Sequence, residues 1–445
     1  MASEDCDDAD WKRVYRAMES RRKVLASTAA FGAAALPGCA GNGNGDDDSD
    51  MDALTDEPSM DGETGDESMS QPDVDVLNYA LTLEHIEYAL YRDGLEKFDD
   101  DQLRNADQVQ VYGDEIRNDI PGRIRTVRDH EKDHVDRIST VVSDLGGEPV
   151  DEAEYDFDKS YYQPYFTPET FIETAMVLEN TGVAAYKGAA PAIKNNDILS
   201  AALGIHSVEA RHASFLNELN GMSPYPDAVD EAQSPEEVTK AADSYFSDDD
   251  AGSTTMSDLE EDAEYDRKNA GDPDDVGVLN FALTFEHLEH AFYRDGLKAF
   301  SDDEIQSADV LSEFGDEIRS AVPGRLRTVR DHEKAHVDAI TQTVEDLGGD
   351  PNSEAEYTFG YESPTTFIET ARVLENTGVA AYAGAGPTVE NDDVLAAAAS
   401  IHSVEARHAG FLNELNGMSP YPNAADEAKS PGEVREDVQP FIEDS

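Results

Sequence analysis

The chain predicts an all-α protein made of two tandem four-helix bundles, each with a long crossover between helices two and three. Three observations predict it. Apolar residues recur at helical spacing in four blocks, the whole set of blocks is written twice, and one connection in each set is long. Val76-Leu77-Asn78-Tyr79-Ala80-Leu81-Thr82-Leu83-Glu84-His85 returns as Val278-Leu279-Asn280-Phe281-Ala282-Leu283-Thr284-Phe285-Glu286-His287, an offset of 202 residues. After a six-residue shortening, His206-Ser207-Val208-Glu209-Ala210-Arg211-His212 returns at His402 with an offset of 196. The tail Gly221-Met222-Ser223-Pro224-Tyr225-Pro226 recurs at Gly417. Two copies of ordinary single-domain size are a tandem duplication rather than a solenoid.

In chain order, residues 1–39 read as an export signal. Arg21-Arg22 precede an apolar, Ala-rich run from Val24 to Leu36, too short to span a bilayer but suited to a signal core. The run ends in Leu36-Pro37-Gly38-Cys39, which resembles a lipobox in which Pro37 replaces the usual small residue; Cys39 is then the lipidated residue. Twin-arginine signals serve a route that carries folded proteins, and this reading expects anchoring to the membrane by lipid only, at its outer face. Residues 40–72 carry Gly, Asn, Asp, Glu and Ser without an apolar period and read as a disordered tether. The first domain is expected at 73–247, an acidic linker at 248–274 and the second domain at 275–443.

Within the first copy, helix one carries Leu77, Ala80, Leu81, Glu84, Tyr88, Tyr91 and Leu95 on one stripe. Helix two carries Ile124, Val127, Glu131, His134, Ile138 and Val141, stopped by Gly146-Gly147. Helix three starts after Thr167-Pro168 and carries Phe171, Ala175, Leu178, Glu179, Gly182 and Tyr186; helix four carries Leu199, Ala202, His206, Glu209, His212 and Leu216. Some twenty residues rich in Tyr, Phe and Pro join helices two and three, long enough to cross the end of a bundle. A short fifth helix is expected from Ser234 to Tyr245.

Composition bounds the function. Against 33 Lys and Arg stand 98 Asp and Glu, a net charge of −65, which excludes nucleic-acid binding because phosphate contacts need clustered cations. Hydrophobic residues make up 39% and fall in periodic blocks, so the charge does not imply disorder of the body. An acidic surface solvated by concentrated cations points to a salt-loving, haloarchaeal source. Both cysteines, Cys6 and Cys39, precede the body, so a disulfide framework and a rubredoxin-type iron centre are excluded there.

Each helix nevertheless places a Glu in the middle of its apolar stripe. Glu131-x-x-His134 and Glu209-x-x-His212 put carboxylate and imidazole on one helix face, one turn apart. Helices one and three add Glu84 and Glu179. Four carboxylates and two imidazoles converging in a bundle core need a cation, and two divalent metals neutralise them. One Glu from each of two helices plus Glu-x-x-His from the other two is the ligand set of di-iron and di-manganese bundles. Four of the chain's 11 His have a Glu three residues before them, in matching places of both copies. The second copy keeps Glu286, Glu333, His336, Glu375, Glu405 and His408. His206 and His402, one turn before Glu209 and Glu405, are expected as hydrogen-bond partners of the site, with ligation the alternative. Glu87 and Glu289 are candidate alternate ligands or access-route carboxylates. Tyr88, Tyr91 and Tyr186 are either core aromatics or electron carriers, and His85 and His130 are expected in solvent.

The strings around Glu84-His85-Ile86-Glu87, Asp129-His130-Glu131, Leu178-Glu179-Asn180-Thr181-Gly182 and Val208-Glu209-Ala210-Arg211-His212 resemble the ferritin-like domain family that includes desiccation-related proteins. The resemblance covers almost all of both repeats. It implies ferritin-like bundles with two Fe or Mn ions per repeat, bridged by Glu131 and Glu209, with Glu84 and Glu179 as terminal ligands.

Oxygen and imidazole donors without thiolate suit iron or manganese over structural zinc. One expectation is Fe(II) oxidation or detoxification of peroxide or dioxygen outside the membrane; a peroxidase then needs an external electron donor. The other is a non-catalytic metal-binding or desiccation-protective surface protein. Fusion and tethering disfavour a closed storage shell.

Overall fold

The computed structural model describes residues 67–110, 112–159, 166–242, 245–246 and 273–441. The twin-arginine segment with Cys6 and Cys39, tether residues 40–66 and linker residues 248–272 lie outside the described residues. The first repeat contains α1 (Glu67–Lys97), α2 (Asp100–Arg104), α3 (Asp114–Asp144), α4 (Pro168–Ala189), α5 (Asn196–Leu219) and α6 (Pro235–Ala242). The second contains α7 (Pro273–Ala299), α8 (Asp302–Gln306), α9 (Asp316–Asp346), α10 (Pro364–Ala385), α11 (Asp392–Leu415) and α12 (Pro431–Val438). The four long helices of each repeat form the expected bundles.

Local chemistry sets the ends. Thr167 and Thr170 form a capping box ahead of Pro168, and the Asn195 side chain accepts from the backbone N–H groups of Asp197 and Ile198. Gly146 and Gly221, at φ 83° and 69°, end α3 and α5 in the left-handed conformation that a side chain would strain. α3 starts ten residues before Ile124 and contains Pro121. An interior proline costs about 3 kcal/mol. Ile116, Ile120 and Ile124 continue the buried stripe across it, at roughly 1.5–3 kcal/mol each, so burial wins. The short α2, absent from the sequence expectation, is held by a capping box between Asp99 and Gln102 and by fully buried Leu103.

From Glu148 to Asp158 the crossover runs along α1 rather than across the end of the bundle. Asn78 donates to the Glu148 carbonyl, Arg92 pairs with Glu152, and Lys97 pairs with Asp158. Ten extended residues span at most about 35 Å, and nineteen helical residues rise about 29 Å, so the connection reaches the far end nearly straight. α4 therefore starts beside the C-terminal end of α1, where the Phe171 ring fills the space over Gly94. β structure among the described residues is an isolated bridge between Tyr155 and Phe246. No described helix is long and apolar enough to cross a membrane.

The two repeats are not beads on a linker; both belong to one compact unit. α5 packs on α11, where Ala210, Ala213, Ala406 and Ala409 with Val183 and Val379 form a buried cluster of small side chains that lets the backbones approach. Buried ion pairs cross this interface in both directions. Arg211 Nε lies 2.7 Å from Asp426 Oδ2 and Arg407 Nε lies 2.8 Å from Asp230 Oδ2. Arg123 pairs with Glu414 at 2.6 Å, and Arg325 with Glu218.

Candidate metal centre

Two apolar clusters occupy the two ends of each bundle. Between them, at mid-helix, the structure brings the six expected acids and imidazoles of each repeat together. In the first repeat, Glu84, Glu131, His134 and Glu209 form one group with donor atoms within 4.8 Å of one another; Glu131, Glu179, Glu209 and His212 form a second. Glu131 and Glu209 belong to both groups. The second repeat reproduces this with Glu286, Glu333, His336 and Glu405, and with Glu333, Glu375, Glu405 and His408. All twelve residues are 0% exposed.

The imidazoles enter through Nδ1. His134 Nδ1 lies 3.0 Å from Glu84 Oε2, 3.2 Å from Glu131 Oε2 and 3.0 Å from Glu209 Oε1. His212 Nδ1 lies 2.9 Å from Glu131 Oε1 and 3.3 Å from Glu179 Oε2. Yet Glu131 Oε1, Glu179 Oε2, both oxygens of Glu209 and His212 Nδ1 make no hydrogen bond of acceptable geometry. Buried polar atoms without partners cost about 1–3 kcal/mol each, more when charged. The donor atoms of each group lie within 4.8 Å of one another, close enough to share an ion. The donor set therefore fits divalent metal ions, and no cysteine lies in the described residues.

With protons in place of metal, the electrostatics describe the same requirement. Burial, reinforced by the surrounding carboxylates, pushes Glu209 well above the usual carboxylate range. Burial lifts Glu84 to about 7, although His134 pulls the other way. Against its own burial, Glu131 is held below the ordinary range by His134 and His212. Burial disfavours the charged imidazoles, but Glu84 and Glu131 hold His134 well above its ordinary value, and Glu179 and Glu131 raise His212 to about 9. The cluster gathers positive charge from whatever carries it.

Outer hydrogen bonds orient the donors. His134 Nε2 donates to the Ala424 carbonyl oxygen at 2.6 Å, and His212 Nε2 lies 3.1 Å from His130 Nδ1. Tyr91 donates to Glu179 Oε1 at 2.5 Å, and Tyr186 donates to Glu84 Oε1. The second repeat pairs His336 with the Ala228 carbonyl at 2.6 Å, His408 with His332 at 3.1 Å, Tyr293 with Glu375 and Tyr382 with Glu286. A carbonyl only accepts, so Nε2 of His134 carries hydrogen, and Nδ1 is the nitrogen that would be offered to a metal in place of its proton.

A family model for the ferritin-like domain matches residues 72–222 and 274–418. This chain belongs to the ferritin-like domain family. It is also similar to Protein rds1 of Schizosaccharomyces pombe, 26% identical over 148 residues, covering 33% of this chain and 34% of that protein. The chain thus spans about a third of that relative's length.

In this ferritin-like protein several outlying residues differ from expectation. His130 and His332 are buried rather than solvated; burial and the neighbouring imidazole lower both to about 3, which suits neutral partners of His212 and His408. His85 is also buried, with Nε2 3.1 Å from the Val150 carbonyl. His206 and His402 are in neither metal group and hydrogen-bond to no ligand. They face each other across the repeat interface at 5.6 Å between ring centroids, with no hydrogen-bond partner on either nitrogen. Glu87 and Glu289 join no group but are buried beside the carboxylates that the two groups share, with Glu87 Oε2 and both Glu289 oxygens unpartnered. Tyr88 lies off the ligands, under the Arg92 guanidinium.

Three participants escape sequence reasoning: the backbone carbonyls of Ala424 and Ala228, the rings of Tyr421 and Tyr225, and Asp426 with Asp230. The recurrence of Gly-Met-Ser-Pro-Tyr-Pro at 221 and 417 is the signal that marks them. A turn motif kept in both copies has a task beyond ending a helix.

Proposed function

We propose that each repeat holds a pair of iron or manganese ions and that the protein uses them to oxidise Fe(II) or to remove peroxide or dioxygen. The observation that carries this is the pair of buried groups sharing Glu131 and Glu209, repeated at Glu333 and Glu405. Glu84, Glu131, His134 and Glu209 would hold one ion and Glu131, Glu179, Glu209 and His212 the other. Such a redox pair supplies or accepts electrons when bound. Around it, the chain's own residues act on protons and access. Tyr91 and Tyr186 each hold a hydroxyl hydrogen on a terminal carboxylate. Glu87, its carboxyl pushed well above the usual range by burial and by Glu209, is a buried acid beside the cluster. A cavity of about 560 Å³ is lined by Ala80, Leu83, Ile138, Ile205 and Tyr186, whose hydroxyl donates to Glu84. The twin-arginine segment and Cys39 support export by that route and a lipid anchor at the outer face of the membrane.

Metal analysis of the purified protein is the test, followed by oxygen and peroxide consumption with and without Glu131→Ala plus Glu333→Ala. Two ions per repeat and turnover lost in the double variant are expected. Full metal without turnover makes this a metal-holding or protective surface protein. A native protein free of metal overturns both readings.

A further inference from the structure

The segment after the fourth long helix of each repeat lies on the other repeat's cluster. From the second repeat, the Ala424 carbonyl accepts from His134 at 2.6 Å, and the Tyr421 ring meets the His212 ring edge-on at 4.8 Å. Asp426 anchors this segment to Arg211, which is 1% exposed, and its N–H donates to the Gly204 carbonyl at 3.0 Å. From the first repeat, the Ala228 carbonyl takes His336 at 2.6 Å, the Tyr225 ring meets His408 at 4.8 Å, and Asp230 anchors to Arg407. The Asp230 N–H in turn donates to the Ser400 carbonyl at 3.3 Å, so eight contacts come as four mirrored pairs.

We propose that the two metal sites are completed crosswise: the 417–426 segment positions the histidines of the first repeat's site, and the 221–230 segment those of the second. This rests on the metal reading above and assigns the duplication a purpose within it. An imidazole that ligates through Nδ1 needs its Nε2–H engaged by a fixed acceptor; otherwise the ring turns or exchanges tautomer, and affinity falls. Both acceptors here are carbonyls on segments without regular structure, and a segment of that kind stays in place only through its anchors. The Asp426–Arg211 and Asp230–Arg407 pairs are those anchors, so Asp426 and Asp230 are positioning residues for sites in the opposite repeat.

The test uses the full chain in two single-site backgrounds, with Mn(II) affinity read from the electron paramagnetic resonance signal of the free ion. Glu333→Ala with Glu405→Ala leaves the first repeat's site; Glu131→Ala with Glu209→Ala leaves the second's. Asp426→Ala is expected to weaken Mn(II) binding about tenfold or more in the first background, with a change below roughly twofold in the second. Asp230→Ala is expected to do the reverse. Asp426→Asn keeps an acceptor for Arg211 and restores most of the affinity, which separates positioning from general damage; helical circular dichroism confirms that each variant is folded. Weakening of the site in the same repeat, of both sites equally, or of neither, overturns the proposal. If the unsubstituted chain binds no Mn(II), the metal reading itself has failed, and that result is distinct from any of these.

Discussion

Gly182 leaves room for Glu87: a Cβ on this glycine would stand 2.9 Å from Glu87 Oε1 and 3.4 Å from Glu209 Oε2. At Gly378 a Cβ would stand 3.1 Å from Glu405 Oε2 and from the Phe285 ring, and 3.4 Å from Glu289 Oε1. α4 thus passes close to Glu209, which both acid and imidazole groups share, and to its buried neighbour Glu87. Gly182→Ala is expected to displace Glu87, lower stability by about 1–3 kcal/mol through overpacking, and weaken metal binding in the first repeat. Denaturant melts and metal stoichiometry check it; unchanged stoichiometry would show that the carboxylates have slack.

Tyr91→Phe removes the donor to Glu179 Oε1 and leaves a buried acceptor unsatisfied. A loss of about 1–3 kcal/mol is expected in chemical denaturation of the metal-free protein. The altered orientation of Glu179 should also lower metal affinity about tenfold. A variant as stable as the parent would mean that the hydroxyl merely fills space.

The metal-free protein should lose stability as pH rises. Glu84 moves from 4.5 unfolded to about 7 folded, and His212 from 6.5 to about 9. A raised folded value means that the folded state holds the proton more tightly. The stability this contributes is complete below the unfolded value and is lost through the folded one: between about pH 4.5 and 7 for Glu84, and between about 6.5 and 9 for His212. Glu131, shifted down, loses its contribution only as pH falls below the ordinary carboxylate range. Melting of metal-free protein is therefore expected several degrees lower at pH 9 than at pH 6. Metal binding displaces these protons, so the stabilisation by metal should grow over the same interval. A flat or rising metal-free profile would contradict this account of the cluster.

Arg123→Ala leaves Glu414 unpaired at 7% exposure in the interface between repeats. Breaking a buried pair from one side costs about 3–5 kcal/mol. Arg123→Met with Glu414→Leu removes both charges and should recover most of that loss. Calorimetric melts of the single and double variants decide it, and an equal loss in both would assign the effect to packing.

By itself the sequence determined the bundle, the duplication and the twelve acids and imidazoles at the centre. All of these are periodic: Glu131 and His134 are one turn apart on one face, and a Glu among Leu and Ala shows against its own stripe. Tertiary structure decided what periodicity cannot carry. The crossover follows α1 because Asn78, Arg92 and Lys97 offer partners along its length. His130 has no spacing that separates it from a surface histidine until α3 and α5 set its Nδ1 3.1 Å from His212. The partnership of His134 with Ala424 spans 290 residues and uses a backbone carbonyl, a group every residue has. Its location follows only from α5 packing on α11 through alanines small enough to bring one repeat's turn onto the other repeat's buried acids and imidazoles.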